Sequence, residues 1–134
     1  MRKEHPLSDH AEDRKRQVER LKERMLKRSF FVMFRQLLDP SKIPDQMLAH
    51  YQWIIGLEKR GLVFASGPLF KPDGAAGVGM TVFRVSDFKE AAALAGSDPF
   101  CISGATSYEL KRWQINEGRV SLSMDFSDQQ SRFD

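Results

Sequence analysis

The strongest constraint on the fold is the first long apolar segment of the chain. Residues 29–38, SFFVMFRQLL, carry apolar side chains on both of the faces that a β-strand presents alternately. A second such segment occupies residues 78–86. Because two helices cover only one face of a four-stranded sheet, the opposite face needs another cover. We therefore expect a homodimer, or a higher homo-oligomer, in which the sheets of two copies face each other.

The segments that follow alternate between strand and helix. The pattern predicts a helix at 45–61, a strand at 62–66, a loop at 67–77, a strand at 78–86, a helix at 88–96 and a strand at 106–115. Asp45 is the expected N-cap of the first helix and Asp87 or Ser86 that of the second, and Gly61 follows the end of the first helix. The order β-α-β-β-α-β indicates an α+β fold of the ferredoxin-like type.

The C-terminal region predicts one further strand. Residues 119–126, RVSLSMDF, place apolar side chains on one face and polar side chains on the other. The connector NEG at 116–118 contains a glycine and suits a hairpin with the preceding strand. We therefore expect a fifth strand that lengthens the sheet, followed by frayed residues at the end of the chain.

Positive charge is concentrated at the N-terminus. Residues 1–28 hold ten Lys or Arg and six Asp or Glu, a net charge of +4, whereas residues 29–134 have a net charge of −1. A body that binds nucleic acid would carry its own basic face, so we do not expect nucleic acid as its partner. The basic segment predicts a helix whose narrow apolar stripe, Val18, Leu21 and Met25, packs on its own domain or on a partner subunit. The alternatives for this segment are an arm that binds nucleic acid or an acidic surface, and disorder.

Several classes of protein are excluded by what the sequence lacks. The single cysteine, Cys101, leaves no internal disulfide framework and is expected to be an inert thiol among apolar neighbours. No apolar run reaches the length of a membrane span, so a cytoplasmic protein is expected. The segment GAAGVG at 74–79 leads into a strand and lacks the residues of a phosphate-binding loop. We expect no metal and no cofactor, because no His, Cys and carboxylate spacing fits a metal site.

The order and spacing of several short motifs resemble the YCII-related family. They are HYQWIIGLEKRGLVFASGPLF, then EAAALAGSDPF after an intervening strand, and LKRW within the last strand, and the resemblance covers about residues 30–116. It implies a ferredoxin-like domain that forms a dimeric α/β barrel. The expected organisation is a basic helical extension at 1–28, the YCII-like domain at 29–116, and a C-terminal strand and tail at 117–134.

The resemblance also implies a site. His50 and Asp98 match the His-Asp pair proposed for the family and would lie in a cleft. The residues expected to bind a substrate there are Trp53, Ser66, Gly67, Pro68 and Trp113. Trp53 and Trp113 have the alternative of being core residues.

The residues themselves leave two readings of the pair open. His50 is the only histidine in residues 29–134 and sits mid-helix among apolar neighbours. Paired with the carboxylate of Asp98, it would act as a general acid or base. Alternatively, His50 is a core histidine bonded to a backbone carbonyl, and Asp98 merely caps a turn. In the functional reading, Pro99 holds the Asp98 carboxylate at the mouth of the cleft.

Two hypotheses of function follow. The first is a small-molecule enzyme that uses His50 and Asp98 for isomerisation, elimination or lyase chemistry on a small cyclic or aromatic substrate. The family includes a dehydrochlorinase acting on a chlorinated aromatic, and the related muconolactone-isomerase-like barrels suggest proton transfer. The second is a non-catalytic module for small-ligand binding or dimeric assembly.

Overall fold

The computed structural model describes residues 6–133. Its helices are α1 (Pro6–Glu23), α2 (Ile43–Lys59), α3 (Phe88–Gly96) and α4 (Pro99–Ile102), with a 3-10 turn at Pro40–Lys42. Its strands are β1 (Arg28–Leu37), β2 (Val63–Phe70), β3 (Ala76–Phe83), β4 (Thr106–Ile115), β5 (Leu122–Asp125) and β6 (Gln130–Phe133). None of the described helices is both long and apolar enough to cross a membrane.

Residues 29–114 form one compact unit with the predicted ferredoxin-like architecture. Its four-stranded sheet has the order β2-β3-β1-β4, and β3 pairs antiparallel with both β1 and β2. β1 therefore lies inside the sheet, between β3 and β4. The α+β fold class is confirmed, whereas the dimer stays a prediction because the structure contains one chain.

The core of this unit lies between the sheet and helices α2 and α3. It contains Phe31 and Met33 of β1, Phe83 of β3, Leu57 of α2 and Ala95 of α3, all buried. The residues of β1 that face this core alternate with period two, so the next residue on the same face is Arg35. The strand thus carries one charged side chain into the layer between the sheet and the helices.

The N-cap was predicted correctly for α3 and wrongly for α2. Asp87 caps α3 as predicted, since its carboxylate accepts a hydrogen bond of 2.7 Å from the N–H of Glu90. Asp45 is not the N-cap of α2, which begins two residues earlier at Ile43 and leaves Asp45 in its first turn. A proline in that first turn supplies no N–H, so α2 can begin without a side-chain cap.

The segment expected to be a loop at 67–77 is largely strand. β2 runs to Phe70 and β3 begins at Ala76, so the turn between them is only about five residues long. Pro68 is tolerated because β2 is an edge strand. Gly77 has no alternative, because a Cβ there would stand 2.6 Å from the carbonyl oxygen of Leu69. The glycines that suggested a flexible loop instead let two backbones approach closely.

The two ends of the chain form the second compact unit, which contains α1, β5 and β6. The predicted fifth strand does form, but it does not lengthen the four-stranded sheet. β5 pairs antiparallel with β6 in a separate two-stranded sheet. The turn between them is fixed by Asp128, whose side chain accepts from the N–H of Gln130, and by Gln129 in a left-handed conformation. The residues predicted to fray therefore form β6, the strand that pairs with β5.

The division into domains at 28 and 116 remains a prediction.

Candidate functional site

A cavity of about 730 Å³ opens within the unit formed by residues 29–114. One wall comes from α2, and the other comes from the β2–β3 hairpin. Most of its lining is apolar, for example Ile54, Phe64 and Phe100. Among the few polar side chains in the wall are those of Arg35 and His50. Such a combination of apolar walls and few polar groups is typical of small-molecule sites.

Asp98 lies behind this wall and has no exposed surface. Its backbone is extended, as the following Pro99 requires, and it is the N-cap of α4. Oδ1 accepts a hydrogen bond of 3.0 Å from the N–H of Phe100. The prediction that the carboxylate sits at the mouth of the cleft is therefore wrong, because the carboxylate caps α4 and is buried.

His50 approaches this carboxylate from α2. Its Nδ1 lies 2.9 Å from Oδ1 of Asp98, and its side chain is 12% exposed. The ring of Phe100 stacks on the imidazole, with the ring centroids 4.1 Å apart and the planes 14° apart. Nε2 of His50 has no hydrogen-bond partner in the described part of the chain, and His50 lines the cavity. The two side chains therefore lie within hydrogen-bond distance of each other.

Arg35 completes a buried polar cluster with His50 and Asp98. Its Nε donates a hydrogen bond of 2.7 Å to Oδ2 of Asp98, and the arginine side chain is 4% exposed. Nη2 of Arg35 is buried, and no residue between 6 and 133 accepts a hydrogen bond from it. One carboxylate therefore holds an arginine on one oxygen and a histidine on the other.

The charges in the cluster decide where its protons sit. Burial alone would raise the pKa of Asp98, but the hydrogen bond from His50 and the charge of Arg35 outweigh it. The pKa of Asp98 is consequently below its ordinary value, and the carboxylate is ionised at neutral pH. An ionised carboxylate can only accept hydrogen bonds, so Nδ1 of His50 carries the hydrogen and donates the hydrogen bond to Oδ1. In the neutral imidazole, Nε2 then holds the free lone pair.

The residues predicted to bind a substrate separate into two groups. Ser66, Gly67 and Pro68 line the cavity, although they belong to β2 and not to a loop. Trp53 and Trp113 are not among the lining residues. The indole N–H of Trp53 donates to Ser97, and its ring packs against the core. Trp113 lies in β4, at the sheet edge opposite β2. Their predicted role thus gains no support from this cavity, and substrate binding by all five residues stays a prediction.

Sequence reasoning missed two members of the site, Arg35 and Phe100. The signal for Arg35 was present, because it continues the core-facing alternation of Phe31 and Met33 and is the only charge to do so. An arginine on the buried face of a central strand requires a counter-charge. Phe100 was visible only as an apolar residue after Pro99, and nothing in its spacing predicts that it stacks on His50.

The part of the chain that the structure describes offers no second reactive centre of the kinds considered. Across residues 6–133, no three His, Cys, Asp or Glu side chains come together as a metal site would require. The thiol of Cys101 is partly buried, and this burial raises its pKa. A protonated thiol is a weak nucleophile, so the polar cluster is the best candidate for chemistry.

The fold and the site define a class of protein: a ferredoxin-like α+β domain with a cavity bordered by a buried His-Asp-Arg cluster. The model of the YCII-related domain matches residues 31–114, more than half of the chain. This chain belongs to the YCII-related family.

Comparison with solved structures gives the same fold. The chain is similar to 5-chloro-2-hydroxyhydroquinone dehydrochlorinase (TftG) from Burkholderia phenoliruptrix AC1100, in complex with 2,5-dihydroxybenzoquinone. The TM-score is 0.52 at 18% sequence identity, and the match covers 63% of this chain and 92% of that chain. No curated protein sequence matches the chain.

Proposed function

We propose that this protein is a small-molecule enzyme in which His50 transfers a proton to or from a cyclic or aromatic substrate, with Asp98 orienting the imidazole. The observation that carries the proposal is the 2.9 Å separation of Nδ1 from a buried carboxylate in a histidine that also lines an apolar cavity. General acid–base catalysis requires a base within reach of the substrate and a fixed orientation of that base.

The proposed chemistry follows from the protonation states of the cluster. Nε2 of His50 accepts a proton from a C–H or O–H group of the substrate. The resulting imidazolium is stabilised by the ionised Asp98, and the proton is then returned to another atom or released. Return to another atom is an isomerisation. Loss of the proton together with chloride is a dehydrochlorination, which needs no oxidant because H⁺ and Cl⁻ leave together.

The solved neighbour supports an aromatic or quinone-like substrate. That protein is a dehydrochlorinase whose structure contains 2,5-dihydroxybenzoquinone, and its fold matches 63% of this chain. The apolar cavity walls, including Phe64 and Phe100, suit a flat ring of this size. Dehydrochlorination of a chlorinated hydroquinone is therefore the first reaction to test, followed by isomerisation of small lactones.

The test compares wild-type protein with His50→Gln. Chloride release from 5-chloro-2-hydroxyhydroquinone and proton exchange of small lactones are followed for both proteins. Glutamine retains an N–H donor for Asp98 but has no basic nitrogen. We expect turnover by the wild type and a loss of about 10²–10⁴-fold in the variant, the usual contribution of a general base.

His10→Gln is the matched control, because His10 is exposed on α1. It should keep wild-type turnover. Circular dichroism of all three proteins separates a loss of chemistry from a loss of fold. Turnover that persists in His50→Gln, or no turnover by the wild type on either substrate class, would contradict the proposal and favour a non-catalytic binding module.

A further inference from the structure

Arg35 has more hydrogen-bonding capacity than its partner uses. A guanidinium carries five N–H donors, and the bond from Nε to Asp98 uses one of them. Nη2 is buried and finds no acceptor in residues 6–133. Because buried donors are nearly always paired in folded proteins, the unpaired Nη2 marks Arg35 as a residue whose donors are not all satisfied by residues 6–133.

The space beside Arg35 is kept open by a glycine. A Cβ at Gly79 would stand 3.7 Å from Nη1 of Arg35 and 3.0 Å from the carbonyl oxygen of Gly67. Arg35, Gly67 and Gly79 all line the cavity. With no side chain at position 79, no Cβ stands beside Nη1, and we expect a ligand atom in the cavity to reach that edge of the guanidinium.

Both oxygens of Asp98, the counter-charge of Arg35, already accept hydrogen bonds within the cluster. Oδ2 of Asp98 accepts from Arg35, while Oδ1 accepts from His50 and from the N–H of Phe100. Asp98 is not a lining residue, so its charge does not face the cavity directly. The guanidinium is therefore the charged group of the cluster that meets a ligand, and hydrogen bonds from such a group are strongest to an ionised oxygen.

The rest of the cavity limits the ligand to one such oxygen centre. The walls between its polar groups are apolar, including Met47, Ile54 and Val63. Glu58 also lines the cavity, and it follows His50 by eight residues on α2, a rise of about 12 Å. A second anionic group near Glu58 would be repelled.

We propose that the cavity binds a small, mainly apolar organic monoanion, such as a carboxylate or phenolate on a ring, and that Arg35 pairs with its ionised oxygen through Nη1, the terminal nitrogen beside Gly79. This inference names the ligand class of the site described under Proposed function and rests on that proposal for the site's location. Arg35 is a binding residue in this role, since it would touch the ligand directly.

The test uses benzoate and benzamide, which have nearly the same shape and differ in charge. Their affinities for the wild-type protein are measured by calorimetric or NMR titration. We expect benzoate to bind at least about tenfold more tightly than benzamide, the ratio that a hydrogen bond to a charged group supports. Equal affinities, or no binding of benzoate below about 10 mM, would overturn the inference.

The key variant is Arg35→Lys, which keeps a positive charge beside Asp98 but loses the forked donor. Benzoate affinity should fall by about tenfold or more, with benzamide affinity unchanged. Arg60→Lys, in the exposed residue that directly follows α2, is the matched control and should bind both ligands as the wild type does. Benzoate binding that is unchanged in Arg35→Lys would overturn the role of Arg35.

A second variant tests the same contact with the Arg35–Asp98 pair intact. Gly79→Ala places a methyl group beside Nη1 and should also weaken benzoate binding, whereas Gly56→Ala meets no atom within 4 Å and serves as its control. Wild-type benzoate affinity in Gly79→Ala would count against the inference. Turnover by the wild type together with equal benzoate and benzamide affinities would contradict this inference alone. Tighter binding of benzoate without any turnover would contradict the proposed function alone.

Discussion

Two Asp-Pro segments in this chain share one local structure and differ in everything around it. Asp39-Pro40 begins the 3-10 turn before α2, and Asp98-Pro99 begins α4. In each, the aspartate is extended, the proline occupies the first helical turn, and the carboxylate accepts from the N–H two residues on. The pKa of each aspartate is lowered. Judged by sequence neighbours alone, both are capping residues.

The surroundings separate the two segments. Asp39 is partly exposed, and the groups that lower its pKa are chiefly the hydroxyl and N–H of Ser41, two residues away. Asp98 is fully buried and also meets Arg35 and His50, which come from β1 and α2. The comparison teaches that capping and function are compatible uses of one carboxylate, and that distant partners, not the dipeptide, make the second use available.

The largest difference between the two segments is expected in stability. Asp98→Ala leaves Arg35 buried without a counter-charge, which should lower the free energy of unfolding by about 3–5 kcal/mol. Asp39→Ala removes only a solvent-accessible cap and should have a much smaller effect. Urea unfolding of both variants, compared through their midpoints and slopes, measures this. Equal losses would show that the Arg35–Asp98 pair contributes no more than a cap.

A smaller difference is expected in the response to acid. Because the pKa of Asp98 in the folded protein lies below the unfolded value near 3.9, its ionised form stabilises the fold above that pH, and this contribution disappears as the pH falls through the folded-state pKa. The stability gap between wild type and Asp98→Asn should therefore be widest at neutral pH and narrow below about pH 4. Urea midpoints across this range test it.

The same series with Asp39→Asn completes the acid comparison. Its gap should be small at every pH, because Asp39 is open to solvent and asparagine is also a good cap. A gap for Asp98→Asn that stays constant from neutral pH to below pH 3 would contradict the assigned ionisation of Asp98.

The smallest effects are expected from the two prolines, and here the segments should agree. Pro40→Ala and Pro99→Ala each restore freedom to the unfolded chain, which should cost about 0.4–1 kcal/mol in either case. Thermal melts of the two variants measure the shift. A loss of stability several times larger in Pro99→Ala than in Pro40→Ala would show that the proline ring itself positions Asp98 beside its partners. The two segments would then differ in local structure as well.

Local patterns explain what could be predicted from the sequence. The apolar alternation of β1 and the caps Asp87 and Gly61 depend on nearby residues, and they gave the right elements; Gly61 follows α2 with a φ of 76°. The hairpin at Asp128–Gln129 and the edge position of Pro68 depend on which strands pair, which the pattern of one strand does not specify. The errors in the fifth strand and in the 67–77 loop have this cause.

The site could be predicted only in part for a related reason. His50 and Asp98 were found because they match motifs whose order resembles a known family, not because their spacing implies a contact. Arg35 lies in no such motif, and its role depends on the counter-charge that α4 brings to β1. Trp113 was placed near the cleft as a strand-end aromatic, yet sheet order puts β4 at the far edge.

The bond between Arg35 and Asp98 joins residues 63 positions apart in the chain. A ribosome that has released residues up to 97 has already produced β1, α2, β2 and β3, yet the central strand still carries a charge that has no partner. Closing that long loop costs conformational entropy and is therefore slow. Pairing of Arg35 with the carboxylate of Asp98 then stabilises the closed loop. The domain should therefore complete its cooperative folding and form its polar site in the same late event. That event can occur only after the last third of the chain has been translated.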